Sequence, residues 1–284
     1  MNCWKAQNGQ PAAKLPAWQR GSETMEIPIA RSHDFNGAII GMVLGDAHMS
    51  SGAPKGTAHD PRLHRTGLVL GHCAKQVDYM LWKAALLRNY LEFNPPREYN
   101  YLMKKTGKYY PSVYISSKRS FQLSTVYSRF YQFRKKQLSR KLLNRLTPLG
   151  LAIWYMDDGY LEKRFNKKGV AYPGYSLRLH TECFTYGQTL IARTYFLEVY
   201  GISVSVLKAT NKKWVLWLSV LEAEKFLNIV RPYVQQVGCM HYKLPEHSVK
   251  VLQQKEQDIV RSPQECGEAG RNDQPSFDAV DYQI

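Results

Sequence analysis

The chain has 284 residues, enough for one large domain or for two of about 120 residues with tails. Hydrophobic residues make up 44% and aromatic residues 12%, so a chain that is disordered throughout is excluded. Lysine and arginine number 39 against 23 acidic residues, and the net charge of +16 favours polyanionic partners, with nucleic acid first among them. A protein kept soluble by its charge, or one that contacts anionic lipid, remains an alternative at this point.

Cysteine usage and hydropathy exclude several other classes. The five cysteines are scattered and include no CxxC pair, so neither a zinc site nor a disulfide framework is predicted. No apolar run approaches the roughly 18 residues that cross a bilayer, and we expect no membrane association. Residues 1–30 are rich in Gln, Pro and Gly and predict a flexible leader, whereas the polar residues 253–284 predict a disordered tail.

Between these ends the sequence repeats itself. GAIIGMVLGDAHMS at 37–50 and GLAIWYMDDGYLEK at 150–163 are both apolar segments of helical length that end in an acid. Superposing Asp46 on Asp158 sets the two motifs 112 residues apart. We therefore predict two repeats, 31–146 and 147–252.

The elements that follow each motif match in chain order. In the first repeat, periodicity predicts a strand, a helix, another strand and a closing helix at 67–70, 75–91, 109–116 and 121–132. The second repeat has the same elements at 176–179, 186–200, 214–219 and 222–235. Together with less regular strand partners, each repeat is predicted to be αββαββα, which places the chain in a mixed α/β (α+β) class.

The motif helices carry small residues on one side. Gly37, Gly41 and Gly45 recur at a spacing of four, and the second motif offers Gly150 and Ala152. Because a glycine inside a helix costs about 1 kcal/mol, three on one stripe indicate close packing against another backbone. A membrane-embedded helix pair is the alternative, but the apolar run is too short to span a bilayer.

Close packing of the two motif helices would bring Asp46 and Asp158 together across an approximate two-fold axis. Each acid could simply end its helix, yet a negative charge at a helix C-terminus opposes the helix dipole. Carboxylates are preferred ligands of Mg²⁺, and paired metal sites stabilise the attacking and leaving oxygens in phosphodiester hydrolysis. The pattern favours metal-dependent cleavage of nucleic acid.

IIGMVLGDA at 39–47 and LAIWYMDDG at 151–159 resemble the paired signatures of LAGLIDADG homing endonucleases of the single-chain, two-motif type. LGHCAKQVDYMLWK, LTPLGLAIWYMDDG and HYKLP extend the resemblance over roughly residues 30 to 250. It implies a pseudo-two-fold monomer with two saddle-shaped, DNA-binding sheets. The implied activity is Mg²⁺-dependent cleavage of both strands of a long DNA site across the minor groove, with Mn²⁺ as a substitute ion and a short 3′ overhang. An intron-encoded gene is also implied.

The resemblance also implies roles for individual residues. Asp46 and Asp158 would bind metal, and the residues before them, Gly45 and Asp157, would supply backbone carbonyls. Asp157 and Asp158 lie about 100° apart on a helix, so their side chains are not expected to serve one metal. The family has a lysine near the end of each half. Lys243 matches this position in the second half, and Lys136 is the expected partner in the first, where each would act electrostatically on the phosphate or the attacking water.

The resemblance places DNA on the sheets, where Arg and Asn side chains can read base edges and Lys neutralises phosphate. The residues expected to contact DNA are Arg97, Tyr99, Tyr101, Lys104, Lys105, Lys108, Arg178, His180, Lys208, Asn211, Lys212 and Lys213.

Three other functions are compatible with parts of the sequence. His72, His180 and His241 could belong to a metal nuclease of another fold, but no HNH, GIY or HExxH spacing supports this. A maturase would bind intron RNA and assist its splicing, with or without DNA cleavage. A DNA-binding regulator would have lost catalysis. The presence of both Asp46 and Asp158 favours cleavage over either binding function.

Overall fold

A computed structural model describes residues 32–52, 65–103, 106–132, 135–165, 168–169, 171–209 and 213–245. These residues belong to one compact unit that ends at Pro245. The predicted leader and tail lie outside the described residues, and the boundaries of the two repeats stay predictions. None of the helices in the described part of the chain combines the length and apolar character that crossing a bilayer requires.

The same order of elements occurs twice along the chain. The first set is α1 (Ser32–Leu44), β1 (His48–Ser51), β2 (Thr66–Cys73), α2 (Val77–Leu86), β3 (Arg97–Met103), β4 (Lys108–Ser116) and α3 (Phe121–Phe130). A connecting segment holds β5 (Tyr131–Gln132), β6 (Lys135–Lys136) and α4 (Arg140–Leu143). The second set is α5 (Pro148–Asp158), β7 (Gly159–Phe165), β8 (Ala171–His180), α6 (Tyr186–Tyr200), β9 (Ser205–Lys208), β10 (Trp214–Leu218) and α7 (Val220–Val234). A short 3₁₀ helix at Ala74–Gln76 precedes α2, and another at Gly238–Lys243 follows α7. The mixed αββαββα fold is confirmed.

Local sequence signals explain where several helices begin and end. Thr185 and Gln188 form a reciprocal capping box at the start of α6, and Gly201 ends that helix with a φ of 63°. By contrast, α3 stops at Phe130, before the predicted residue 132, because Tyr131–Gln132 pairs with Lys135–Lys136 as a short hairpin. This hairpin carries Lys136.

Two four-stranded antiparallel sheets have matching topologies. The strand orders are β1-β2-β4-β3 and β7-β8-β10-β9, so the corresponding strands occupy the same places in both sheets. In β4, Val113 and Ile115 are buried while the alternating side chains are more exposed. Each sheet therefore has one face toward its helices and one face available to a partner.

The motif helices α1 and α5 pack directly against each other. A Cβ atom at Gly41 would overlap the backbone carbonyl of Gly150, and one at Gly150 would overlap the carbonyl of Gly37. Both helices are buried on nearly all sides, including Trp154 and Tyr155 in α5, which explains their continuously apolar sequences. The predicted glycine-mediated approach of the two helices is present.

Candidate active site

The two motif acids stand where the packed helices end. Thr147 caps the start of α5 and Pro148 occupies its first turn, so the helix runs to Asp158 before Gly159 begins β7. Helix α1 ends at Leu44, two residues before its acid, and Asp46 lies in the turn that leads into β1. Both acids thus sit at a helix-to-strand junction.

Their surroundings make the negative charges costly. Partial desolvation and then the nearby Asp157 raise the pKa of Asp46 to about 6. Desolvation, followed by Asp46 and Asp157, raises the pKa of Asp158 to about 8. The Asp46 side chain is nevertheless 48% exposed and open to a ligand. Because these neighbouring carboxylates repel one another when they are ionised, a bound cation would stabilise their charged forms. Carboxylate oxygens are also the ligands that divalent ions such as Mg²⁺ prefer, so Asp46 and Asp158 fit a divalent metal ion.

A lysine approaches each acid in the same way. Lys136 Nζ donates to the backbone carbonyls of Gly45 and Ala47, at 3.0 and 2.9 Å. Lys243 Nζ donates to the carbonyl of Gly159 at 2.6 Å. Ala47 and Gly159 each directly follow a motif acid, so the two lysines hold corresponding positions. Desolvation lowers the pKa of both lysines, which makes their protons easier to share with a nearby acceptor.

Asp157 has a different environment from Asp158. Its side chain is fully buried and pairs with Lys83, whose Nζ lies 3.0 Å from Oδ1, and its Oδ2 accepts a hydrogen bond from the Asp46 amide at 3.2 Å. His72 lies between Asp46 and Asp157, with ring nitrogens 3.8 and 3.9 Å from their oxygens. These three residues could hold a metal by proximity, but the ammonium of Lys83 already neutralises Asp157. Asp46 and Asp158 stay the predicted metal ligands.

The first sheet brings together most of its expected DNA contacts. Arg97, Tyr99 and Tyr101 alternate along β3 and therefore share one face. Tyr101 pairs with Tyr110 of β4, whose side chain lies on the same face. Lys108 is exposed at the beginning of β4, whereas Lys104 and Lys105 lie outside the described residues. The result is a basic and aromatic surface on the side opposite the helices.

The second sheet groups only part of its expected set. Arg178 and His180 share a face of β8, and each is paired with an acid: Arg178 with Glu162 at 2.9 Å and His180 with Glu182 at 2.9 Å. Lys208 pairs in register with Trp214, which contacts Tyr186 of α6. The register therefore places Lys208 on the helix side of the sheet, away from Arg178.

Other predicted contacts of the second half are less informative. Lys213 is exposed just before β10, and Asn211 and Lys212 lie outside the described residues.

The three histidines of the alternative metal-nuclease hypothesis lie in different environments. His241 contacts the Gln235 backbone carbonyl at 3.0 Å, and His180 contacts Glu182. His72 alone among these three adjoins the motif acids, and desolvation together with Lys83 lowers its pKa to about 4. It is therefore neutral at physiological pH.

Sequence reasoning missed Lys83, and it missed the two acids that pair with Arg178 and His180 on the second sheet. A signal for Lys83 was available, because a lysine in the apolar run YMLWKAAL of α2 has no place on a solvated face. Nothing comparable distinguished Glu162 and Glu182. Glu162 reaches Arg178 only because β7 pairs with β8, and Glu182 lies just after β8, where it contacts His180.

Sequence comparisons show what this chain is similar to. A sequence profile described as the LAGLIDADG DNA endonuclease family matches residues 36–226. Protein RecA of Mycobacterium shimoidei is 29% identical over 224 residues, which cover 72% of this chain and 45% of that protein. Cytochrome b mRNA maturase bI2 of Saccharomyces cerevisiae is 28% identical over 217 residues, 72% of this chain and 46% of that protein. The chain thus spans less than half the length of these relatives.

A similar fold occurs in a solved structure, the homing endonuclease I-WcaI bound to its DNA recognition sequence. The two chains share 24% sequence identity with a TM-score of 0.62, and the match covers 77% of this chain and 88% of that one. At this identity the likeness concerns the fold.

Proposed function

Because the chain belongs to the LAGLIDADG DNA endonuclease family, we propose that it is a homing endonuclease that cuts both strands of a specific DNA site by metal-dependent hydrolysis. Both acids, Asp46 and Asp158, and both lysines lie in one chain, so a monomer would carry the groups for two cuts. The gene is proposed to be intron-encoded, as the resemblance implies.

One observation carries this proposal: each motif acid is followed by a backbone carbonyl that accepts a hydrogen bond from a lysine of the same half. Lys136 serves Ala47 after Asp46, and Lys243 serves Gly159 after Asp158. A structural role would require neither two acids nor two half-buried lysines at a shared helix junction. Two negatively charged phosphates, one per strand, fit such a duplicated arrangement of metal donors and ammonium groups.

Asp46 and Asp158 would hold Mg²⁺, or Mn²⁺ in its place, with the backbone carbonyls of Gly45 and Asp157 as further donors. The bound ion would polarise the phosphate and lower the pKa of the attacking water. Lys136 and Lys243 would stabilise negative charge that develops on the phosphate, or lower the pKa of the attacking water. The exposed faces of the two sheets would hold the DNA on either side.

The DNA-binding role of the sheets rests on charge and exposure. Lys108 and Lys213 are exposed and suited to phosphate contact, whereas Arg97 and Arg178 can form paired hydrogen bonds to base edges. Exposed tyrosines on β3 supply apolar contact surface beside them. The pairing of Arg178 with Glu162 would have to loosen for Arg178 to reach a base.

The decisive experiment uses duplex DNA that spans the insertion-free version of the locus carrying the gene. Wild-type protein with Mg²⁺ should cut both strands, whereas Asp46→Asn and Asp158→Asn should each reduce cleavage by at least about 100-fold. Asp78→Asn removes a charge from an exposed position on α2 and serves as the matched control. Undiminished cleavage by both active-site variants would refute the assignment.

A maturase activity is the second candidate, favoured by the similarity to the yeast cytochrome b mRNA maturase. It would bind intron RNA and would not need metal-binding acids at the helix junction. RNA binding and splicing should then survive Asp46→Asn. Specific binding of the intron RNA without any cleavage of the junction DNA would replace the nuclease proposal with this one.

A further inference from the structure

A fully buried ion pair lies directly beneath the motif acids. Lys83 of α2 and Asp157 of α5 have no exposed side-chain surface, and Lys83 Nζ lies 3.0 and 3.2 Å from the two carboxylate oxygens. The ammonium also lies 4.4 Å from the centre of the Tyr79 ring. Burying two charges is expensive, and a well-packed apolar pair commonly stabilises a fold at least as well. The position of this pair therefore indicates a role beyond packing.

The carboxylate held by Lys83 reaches from one half of the protein to the other. Asp157 Oδ2 accepts a hydrogen bond from the backbone amide of Asp46 at 3.2 Å. Gly45 makes this contact possible, because a Cβ atom there would overlap the Asp157 side chain. Lys83, Asp157 and the Asp46 amide thus form a continuous chain of contacts that fixes the backbone of the first motif acid.

The second half lacks these groups at the corresponding positions. Leu70 and Leu179 occupy matching places in β2 and β8, where they pair with Ile115 of β4 and Leu216 of β10. Counting onward from them, Lys83 corresponds to Ala192. The residue that corresponds to Asp157 is Gly45, which has no side chain. The carboxylate that supports the Asp46 amide therefore has no counterpart for Asp158.

We propose that Lys83 and the Asp157 side chain form a positioning pair that holds Asp46 and makes the two half-sites inequivalent. Loss of the pair should then slow the cutting of one DNA strand more than that of the other. This inference rests on the proposed nuclease function. Neither side chain is assigned contact with DNA or metal, and the Asp157 backbone carbonyl keeps its separate role.

Two double variants isolate the contact between Asp157 and the Asp46 amide. Lys83→Met combined with Asp157→Asn removes both charges but keeps an oxygen that can accept from the amide. Lys83→Met combined with Asp157→Ala removes the acceptor as well. Both have the same net charge and no unpaired lysine, so their comparison separates positioning from the loss of a buried ion pair. Each double variant should melt above the assay temperature, which thermal unfolding checks before the comparison is made.

The first measurement needs neither metal nor cleavage. Hydrogen–deuterium exchange of the Asp46 amide in metal-free protein should be about 10-fold faster in the Ala double variant than in the Asn double variant, because only the latter retains the hydrogen bond. Equal exchange rates in the two variants would overturn the positioning role of Asp157.

The second measurement follows the two DNA strands separately with a different label on each. Relative to the Asn double variant, the Ala double variant should change the ratio of the two strand-cleavage rates by about 10-fold and accumulate nicked DNA. Equal slowing of both strands, or an unchanged ratio, would overturn the claim of inequivalent half-sites. Absence of cleavage by the wild type would instead refute the proposed function, while the exchange measurement would still decide the positioning role.

Discussion

Gly41→Ala tests the close contact between the two motif helices. The added Cβ would overlap the backbone carbonyl of Gly150, which cannot rotate away as a flexible side chain could. Overpacking of a buried contact costs about 3 kcal/mol at the upper end of its usual range, and the better helix propensity of alanine returns about 1 kcal/mol. The free energy of unfolding should therefore fall by about 2 kcal/mol, which corresponds to a decrease in Tm of roughly 4 to 8 °C.

Gly187→Ala is the matched control, because Gly187 also lies in a helix but has no neighbouring atoms within 4 Å of the added Cβ. This change should raise the free energy of unfolding by about 0.5 kcal/mol. Thermal unfolding of both variants, followed by circular dichroism without metal, measures the difference. A Gly41→Ala protein that melts at or above the wild-type temperature would refute the close helix contact.

Three further predictions concern charge. The pKa values of Asp46 and Asp158 are raised to about 6 and 8, so the folded protein holds these two protons more tightly than the unfolded chain does. The contribution of the two acids to the free energy of unfolding therefore decreases as pH rises from about 4 through these values. In EDTA, the Tm of the wild type should fall relative to that of Asp46→Asn/Asp158→Asn between pH 5 and 9, and parallel curves would contradict the pKa shifts. Lys108→Ala should weaken DNA binding and reduce the slope of log affinity against log salt by about 1, as measured by fluorescence anisotropy; an unchanged slope would exclude a phosphate contact. Glu162→Gln should release Arg178 and strengthen DNA binding several-fold at low salt, and weaker binding would show that the ion pair instead holds Arg178 in its binding position.

The sequence was informative wherever a local pattern has one physical explanation. Period-3.6 patterns located the longer helices, and period-2 patterns located the two inner strands of each four-stranded sheet. Helix α6 has the predicted bounds because a capping box and a C-terminal glycine mark its two ends. The hairpin at Tyr131–Lys136 was not predicted, because its strands have two residues each and are stabilised by tertiary contacts. One such contact is made by Lys136 with the carbonyls at the end of the first motif.

What the sequence alone determined was the duplication, the glycine stripe and the placement of one acid at the end of each motif helix. These follow from identity and spacing, which need no coordinates. Only the tertiary structure decided that Asp157 is bound to Lys83, 74 residues away, and that Lys208 faces away from Arg178. Long-range pairing and strand register are set by the packing of distant segments, and a one-residue change of register turns every side chain to the other face. The sequence was sufficient to identify the paired acids Asp46 and Asp158. The Lys83–Asp157 pair, which contacts only one of the two acids, appears only when the two halves are packed together.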